Sequence, residues 1–224
     1  MKKLKYIAPV LIAIACFGFQ QAKATTTYTL DNPNGAIAAY PAPYGSVTVN
    51  LDVTQTIATI TFTAAAHDGF QYLFGDGGTA AVNVNGAFTL GLITGTHLPG
   101  FGFQAGEGYS NGGAGQVDGF GNFNLTINSS DGYTRSSNSV TFTLTKTSGT
   151  WSSDANVLTA NAQGAFVAAH IFVAAFPADP NAGALTTGFA SNGGAVNTPD
   201  GGTTVMLLGV ALGALGMARR FIRS

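Results

Sequence analysis

The sequence predicts an all-β protein: a single antiparallel β-sandwich, flanked by an N-terminal signal peptide and a C-terminal transmembrane helix. Short segments rich in β-branched residues alternate apolar and polar side chains, which is typical of strands with one dry face. Clusters of Gly, Asp and Asn separate these segments. No part of residues 25–197 has apolar residues at the three- to four-residue spacing that is typical of an amphipathic helix. The predicted sandwich covers residues 25–197, a length that can bury one hydrophobic core.

The first 24 residues have the three parts of a secretory signal peptide. Three lysines among the first five residues precede the apolar stretch 6–19, and the segment closes on an A-x-A cleavage signature formed by Ala22 and Ala24. We therefore predict export across the inner membrane and cleavage after Ala24, so that the mature chain begins at Thr25. An uncleaved N-terminal membrane anchor is the alternative.

Charge is concentrated at the two ends of the chain. The body 25–197 contains only Arg135 and Lys146 against nine acidic residues, a net charge of −7 with histidines neutral. This acidic body excludes nucleic-acid binding, which needs clustered Lys and Arg. Cys16, the only cysteine, lies in the predicted signal peptide, so the mature protein is expected to lack disulfides and thiol chemistry.

Six segments of the body are predicted to form strands: 46–53, 57–63, 80–93, 120–128, 138–147 and 164–176. The first five largely alternate, and in 120–128 this pattern places Phe123, Leu125 and Ile127 on one face. Segment 164–176 is apolar on both faces, which favours a strand buried in the centre of a sheet.

Turn signals occur between the predicted strands, in the sequences HDGF, GDGG, VNGA, VDGFG and SSDGYTRSSN. The longest glycine-rich interruption, 99–116, is expected to be a surface loop. Eight or nine short strands at this spacing, without crossover helices, favour an antiparallel sandwich.

The C-terminal segment 198–224 has a different composition. Its residues 203–218 carry no charge, and the basic tail 219–224 contains Arg219, Arg220 and Arg223. As a helix, the uncharged run would be about 24 Å long, so that flanking residues and local thinning would have to complete a span of about 30 Å. The arginines are expected to stay cytoplasmic by the positive-inside rule, as are the N-terminal lysines.

The order of these parts resembles a PEP-CTERM protein-sorting signal: Thr198-Pro199-Asp200-Gly201-Gly202, a short apolar helix, and terminal arginines. It is most similar to the variant that reads Val-Pro-Asp-Gly-Gly, with a threonine in place of the valine. The resemblance implies recognition and cutting near the motif by an exosortase, a membrane cysteine transpeptidase. We expect the processed protein to be located at the cell surface or in the extracellular matrix, beside extracellular polysaccharide.

The chemistry of the tail is compatible with this resemblance. Pro199 disfavours helix at the residue before it, and Gly201 and Gly202 keep the backbone open for an enzyme. Gly209 and Gly213 form a G-x-x-x-G pair that can pack a helix closely against a membrane enzyme, although small residues are common in such runs. A plain membrane anchor is the alternative reading of the tail.

No catalytic, metal or cofactor site is predicted in the body. His67, His97 and His170 are far apart in the sequence, and no G-x-S-x-G elbow accompanies the His67-Asp68 pair. His170 lies within an apolar run, which favours a hydrogen-bonded core histidine.

Two predicted turns contain Asp or Asn side chains whose oxygen atoms are candidate calcium ligands. Asp76 lies in one of them, and Asp118 with Asn122 and Asn124 in the other. Neither turn has the EF-hand pattern, and Asp, Asn and Gly favour turns for local reasons. We therefore expect turns and not metal sites.

Three functions are compatible with the sequence. The favoured one is a non-enzymatic surface or matrix protein, since the outer face is rich in Ser, Thr, Asn and Gly and no catalytic motif is present. A secreted hydrolase requires His67 or His170 to meet a serine or carboxylate in a pocket. A carbohydrate-binding module requires aromatic residues to be exposed together on one face, among Tyr109, Phe120, Tyr133 and Trp151.

Overall fold

The computed structural model describes residues 25–198, with side chains described up to residue 192. Within this range the chain forms twelve β-strands, three short 3-10 turns (Gly35–Ala39, Tyr133–Arg135 and Asp154–Asn156) and no α-helix. The strands are β1 (Thr25–Pro33), β2 (Gly45–Leu51), β3 (Ile57–Ala64), β4 (Ala66–His67), β5 (Phe70–Phe74), β6 (Ala80–Val82), β7 (Phe88–Thr96), β8 (Tyr109–Val117), β9 (Gly121–Ser129), β10 (Ser139–Lys146), β11 (Val167–Ala175) and β12 (Thr186–Thr198). The predicted all-β class is confirmed.

The strands form one continuous antiparallel sheet in the order β7-β10-β3-β2-β1-β12-β11-β6-β9-β8, and the β4–β5 hairpin pairs with β11. The two outer strands, β7 and β8, approach each other, so the sheet is nearly closed. Gly95 on β7 shows how close this approach is, because a Cβ there would collide with the hydroxyl of Tyr109 on β8.

A single rolled sheet differs from the predicted two-sheet sandwich. The predicted segments account for strands of two groups, β7-β10-β3-β2 and β11-β6-β9, which would be separate sheets without a link. The link consists of β1 and β12, which pair with each other and with β2 and β11. Neither linking strand has the strong apolar alternation by which the other strands were predicted.

Two other expectations differ from the structure. Segment 80–93 contains β6 and the start of β7, because a turn at Asn85-Gly86 interrupts it, with Gly86 at a φ of 90°. The glycine-rich stretch 99–116 is a loop only in its first half, since its second half lies in β8. β8 is an outer strand with two register shifts against β9, a position where glycines are tolerated.

The main core lies inside the rolled sheet, where alternate residues of most strands are fully buried. β11 is buried at eight of its nine positions, which confirms the predicted central strand. Leu125 and Ile127 face this core, but Phe123 packs in a second cluster with Phe120 and Val117. A register shift between β8 and β9 separates Phe123 from the other two, so the three do not share one face.

Candidate functional site

The first and last strands of the described chain are direct neighbours. β1 and β12 are antiparallel, and Thr25 is the cross-strand partner of Thr198. Thr198, at the first position of the predicted sorting motif, therefore lies within the sheet, at the end of the described part of β12. The structure thus brings the residue after the predicted signal-peptide cleavage next to the residue before Pro199.

β12 has two different environments along its length. From Thr186 to Ser191 it pairs with β11, and from Ala190 onward it pairs with β1. At the transition, Asn192 Oδ1 accepts hydrogen bonds from the backbone N–H of Phe166 at 2.9 Å and of Val167 at 3.0 Å. At the start of β11, the Asn192 side chain thus accepts the backbone hydrogen bonds that a neighbouring strand would otherwise accept. The sequence contains no signal for this role of Asn192.

The other predicted sorting and processing residues lie outside the described range: Ala22, Ala24, Pro199, Asp200, Gly201, Gly202, Gly209, Gly213, Arg219, Arg220 and Arg223. The predicted helix 203–218 also lies outside it. Residues 25–198 contain no helix with the length and hydropathy needed to span a bilayer.

His67 is held by two acceptors at the surface. Its Nε2 donates to the carbonyl of Pro43 at 2.8 Å, and its Nδ1 lies 2.8 Å from the carboxylate of Asp68. The Pro43 carbonyl and then the Asp68 carboxylate raise the pKa of His67, because both favour the protonated ring. With both nitrogens engaged, the ring has no lone pair directed at a serine.

His170 is a packed histidine on β11. Its Nδ1 donates to the carbonyl of Gly75 at 3.0 Å, its Nε2 lies 2.5 Å from the hydroxyl of Thr187, and its ring stacks on Phe189 at 4.5 Å. Burial lowers the pKa of His170, and the carboxylate of Asp76, 3.8 Å away, opposes this shift. The surroundings are those of the predicted core histidine, with both nitrogens hydrogen-bonded.

His97 belongs to a cluster that the sequence did not predict. Its Nδ1 donates to the carbonyl of Ser136 at 2.9 Å and lies 3.4 Å from Ser137 Oγ. Ser137 Oγ is also 2.6 Å from the hydroxyl of Tyr109, and the ring of Phe103 packs edge-on against His97 at 4.7 Å. Ser137 is fully buried, so its hydroxyl is not accessible to a substrate.

The aromatic residues required for a carbohydrate platform are not exposed together. Trp151 is 1% exposed and Phe120 is 7% exposed. The indole N–H of Trp151 donates to the carbonyl of Asn85 at 2.8 Å, and Lys146 Nζ lies 5.1 Å from its ring centre. Tyr133 is half-buried, and its ring packs on Phe101 and Phe172. The condition for a carbohydrate platform is therefore not met.

Two of the side-chain oxygens considered for calcium, those of Asp76 and Asn124, accept hydrogen bonds from backbone N–H groups. Asp76 Oδ1 accepts from the N–H of Gly132 at 2.7 Å. Asn124 exchanges two hydrogen bonds of 2.8 Å with the backbone of Val84, and the Asp118 carbonyl accepts from the Asn34 amide at 2.7 Å. Within residues 25–198, no three His, Cys, Asp or Glu residues lie close enough to hold a metal ion.

Two polar cavities open on the surface of the described domain. One, of about 470 Å³, lies at the start of β8 and is lined by Glu107, Ser110, Ser129, Ser130 and Asp131 among others. The second, of about 290 Å³, is lined in part by Asn32, Phe120, Gln163, Ser191 and Asn192. Neither lining includes His67 or His170, so the geometry required of a histidine-dependent hydrolase is not formed at these two cavities.

Comparison with known proteins finds similarity in the tail alone. Residues 199–221 match the family described as the VPDSG-CTERM motif. No curated protein and no solved structure matches the chain. The match marks a C-terminal sorting tail of the PEP-CTERM/exosortase type and supports a secreted protein that is sorted by this signal. The matched motif has serine where this chain has Gly201, so the finer variant stays a prediction.

Proposed function

We propose that this chain is an exported surface or extracellular-matrix protein with a non-catalytic β-domain, whose tail is recognised and cut by an exosortase at the inner membrane. The observation that carries the proposal is the junction at Thr198. Thr198 lies in β12 and is the last residue that the structure describes, and the match to the sorting motif begins at the next residue. A folded domain is thus followed directly by a sorting signal.

The pairing of Thr25 with Thr198 supports the proposed topology. In that topology the N-terminal lysines and the C-terminal arginines are both cytoplasmic, so the exported domain is connected to the membrane at both ends until it is processed. This topology is easily met when the first and last residues of the domain lie close together, and here Thr25 and Thr198 are cross-strand partners. The signal-peptide and tail cleavages would then release the domain from the same end of the sheet.

The surface of the β-domain supports a structural role. Its outward face carries threonines in neighbouring strands, such as Thr61 and Thr141, whose hydroxyl oxygens are 3.1 Å apart. The rings of His67 and His170 have both nitrogens hydrogen-bonded within the fold. Association with extracellular polysaccharide follows from the family resemblance and is proposed on that ground.

The native host with and without its exosortase tests the proposal. We expect a shortened protein outside the inner membrane in the first strain and an intact precursor in the membrane in the second. Replacing residues 199–202 by alanines should also leave the precursor intact, because the helix breakers and the recognised side chains are lost.

A matched control is Asp179→Ala/Pro180→Ala, which makes the same kind of change in an exposed loop of the domain. This control should be processed like the wild type. Intact-mass measurement of the protein from both strains gives the cut bond, and identical intact tails in both strains would contradict the proposal.

A further inference from the structure

The second polar cavity, of about 290 Å³, lies beside Asn192, where β12 stops pairing with β11. Four segments supply its walls: Asn32 on β1, Ser191 and Asn192 on β12, Phe120 in the turn between β8 and β9, and Gln163 in the loop before β11. We call it the Asn192 cavity. Its volume is at the lower end of the range of small-molecule sites, which suits one small unit of a ligand.

Asn192 presents a hydrogen-bond donor of fixed direction to this cavity. Its Oδ1 accepts from the backbone N–H of Phe166 and of Val167, so the amide cannot exchange its oxygen and nitrogen without placing N–H groups against N–H groups. Its Nδ2 has no hydrogen-bond partner among residues 25–192, although Asn192 is only 6% exposed. Because Asn192 lines the cavity, an oxygen atom inside the cavity is the partner that this donor can reach.

The other described side chains of the lining are uncharged. Asn32 contributes a second amide and Ser191 a hydroxyl, which lie 3.4 Å apart. The side-chain amide of Gln163 is exposed and has no hydrogen-bond partner within residues 25–192. Amides donate and accept hydrogen bonds, as the hydroxyl groups of a sugar do, and Phe120 adds an apolar ring. An ionic ligand would find no opposite charge on these side chains.

One asparagine holds two walls of the cavity together. Asn161 Nδ2 donates to the carbonyl of Phe120 at 2.8 Å, and its Oδ1 accepts from the backbone N–H of Gln163 and of Ala165, both at 3.0 Å. The side chain of Gln163 also lies close over Gly121, where a Cβ would be 2.9 Å from Gln163 Cδ. The site is thus formed before a ligand arrives, which lowers the entropy cost of binding.

We propose that the Asn192 cavity binds one unit of a neutral saccharide, with Asn192 Nδ2 and the Gln163 amide as hydrogen-bonding groups and Phe120 as the apolar contact. This inference deepens the proposed function and rests on it, because export places the cavity among extracellular sugars. The site differs from an exposed aromatic platform, since the sugar enters a cavity in which polar side chains recognise its hydroxyl groups.

Binding is measured on the full chain, purified in a detergent that has no sugar headgroup. The probes are tetrasaccharides of glucose, galactose, mannose and N-acetylglucosamine, and tetragalacturonic acid is the anionic comparison. Saturation-transfer NMR shows which probe contacts the protein, and titration calorimetry gives its Kd. We expect at least one neutral probe to bind and the anionic probe to bind more weakly than that one.

Two variants of the lining place the probe in the cavity. Asn192→Asp keeps an oxygen for the N–H groups of β11 but replaces the donor in the cavity by a negatively charged oxygen, so the neutral probe should bind at least about tenfold more weakly. Gln163→Ala removes an exposed amide without a partner in the described chain and should weaken binding about fivefold. The matched control is Gln104→Ala, an exposed glutamine outside this lining, which should bind like the wild type.

The outcomes separate this site from the proposed function. Weaker binding by both lining variants, with an unchanged control, supports the site. No binding of any neutral probe, equal binding by the lining variants, or tighter binding of the anionic probe overturns it. If circular dichroism shows that Asn192→Asp does not fold, Gln163→Ala decides alone. A precursor that its exosortase does not cut contradicts the proposed function, whereas sugar binding by the purified full chain is measured independently of that cut.

Discussion

At the scale of single residues, polar side chains of this domain bind the backbone of their own loops and strands. Asp52 accepts hydrogen bonds from the backbone N–H of Thr56 and of Ile57, both at 3.0 Å. Its pKa falls to about 2, first because the hydroxyl of Thr54 bonds the carboxylate and then because of these backbone groups. A carboxylate held in this way stabilises a turn and stays ionised at neutral pH, so it does not serve as a general acid there.

The buried histidine makes stability depend on pH in a direction that can be tested. Because burial lowers the pKa of His170, the unfolded chain takes up a proton there more readily than the folded chain. The contribution of neutral His170 to the free energy of unfolding is fully present above the ordinary histidine pKa of about 6.5. It is lost as the pH falls through the lower pKa that His170 has in the folded protein. His170→Gln should therefore flatten the decline in the free energy of unfolding between about pH 7 and about pH 5. Urea unfolding of residues 25–198 at several pH values measures this slope.

His67 is the control of opposite sign. The Pro43 carbonyl and then Asp68 raise the pKa of His67. The contribution of protonated His67 to the free energy of unfolding is therefore fully present below about pH 6.5, and it is lost as the pH rises through the higher pKa of the folded protein. His67→Gln should therefore steepen the decline toward acid pH. If each variant changes the free energy of unfolding by the same amount at every pH, the assigned roles of the two rings are wrong.

At the scale of elements, the change of partner along β12 depends on one side chain. Asn192 is 6% exposed, and its side chain accepts hydrogen bonds from two backbone N–H groups at the start of β11. It lies where β12 stops pairing with β11 and continues to pair with β1. Buried backbone donors without an acceptor are costly, so this amide stabilises the point where three strands meet.

Removal of the Asn192 amide should destabilise the domain. Asn192→Ala leaves the N–H groups of Phe166 and Val167 without their acceptor, and we expect the free energy of unfolding to fall by about 2–4 kcal/mol. Asn192→Asp keeps an acceptor oxygen at the same place and should cost clearly less. Urea denaturation of both variants at neutral pH makes the comparison, and equal losses would mean that the two hydrogen bonds do not carry the effect.

At the scale of the whole molecule, the first and last strands of the described domain complete the sheet. β1 and β12 lie in the middle of the strand order, so the halves of the sheet are joined only when the last strand has been added. Partners such as Thr25 and Thr198 are separated by almost the full length of the domain. Folding therefore depends on contacts of long range, which form slowly.

Truncation before the last strand should prevent folding. A chain of residues 25–185 lacks β12, which leaves β1 and β11 as unpaired edges and exposes part of the core. We expect residues 25–198 to give a β-dominated far-UV circular dichroism spectrum and a cooperative thermal transition, and residues 25–185 to give neither. Cooperative unfolding of the shorter chain would show that the two halves are stable without their link.

The sequence by itself determined the features that depend on neighbouring residues. Period-two alternation identified β2, β3 and β10, and a run that is apolar on both faces identified β11 as a central strand. The sorting tail was also readable, because its motif, apolar run and arginines are consecutive in the chain. These signals are local, so no knowledge of the fold was needed to find them.

Only the tertiary structure decided how the two halves of the sheet are joined and which residue pairs with Thr198, the residue before the sorting-motif match. The segment of β12 is rich in Gly, Ala, Asn and Thr, and its strand conformation comes from pairing with β1 and β11 and not from its own alternation. The contact between His97 and Ser137 likewise depends on loops that meet only in the fold. Propensity is a weak guide where long-range pairing supplies the stabilisation. For that physical reason, the pairing of Thr25 with Thr198 could not be read from the chain.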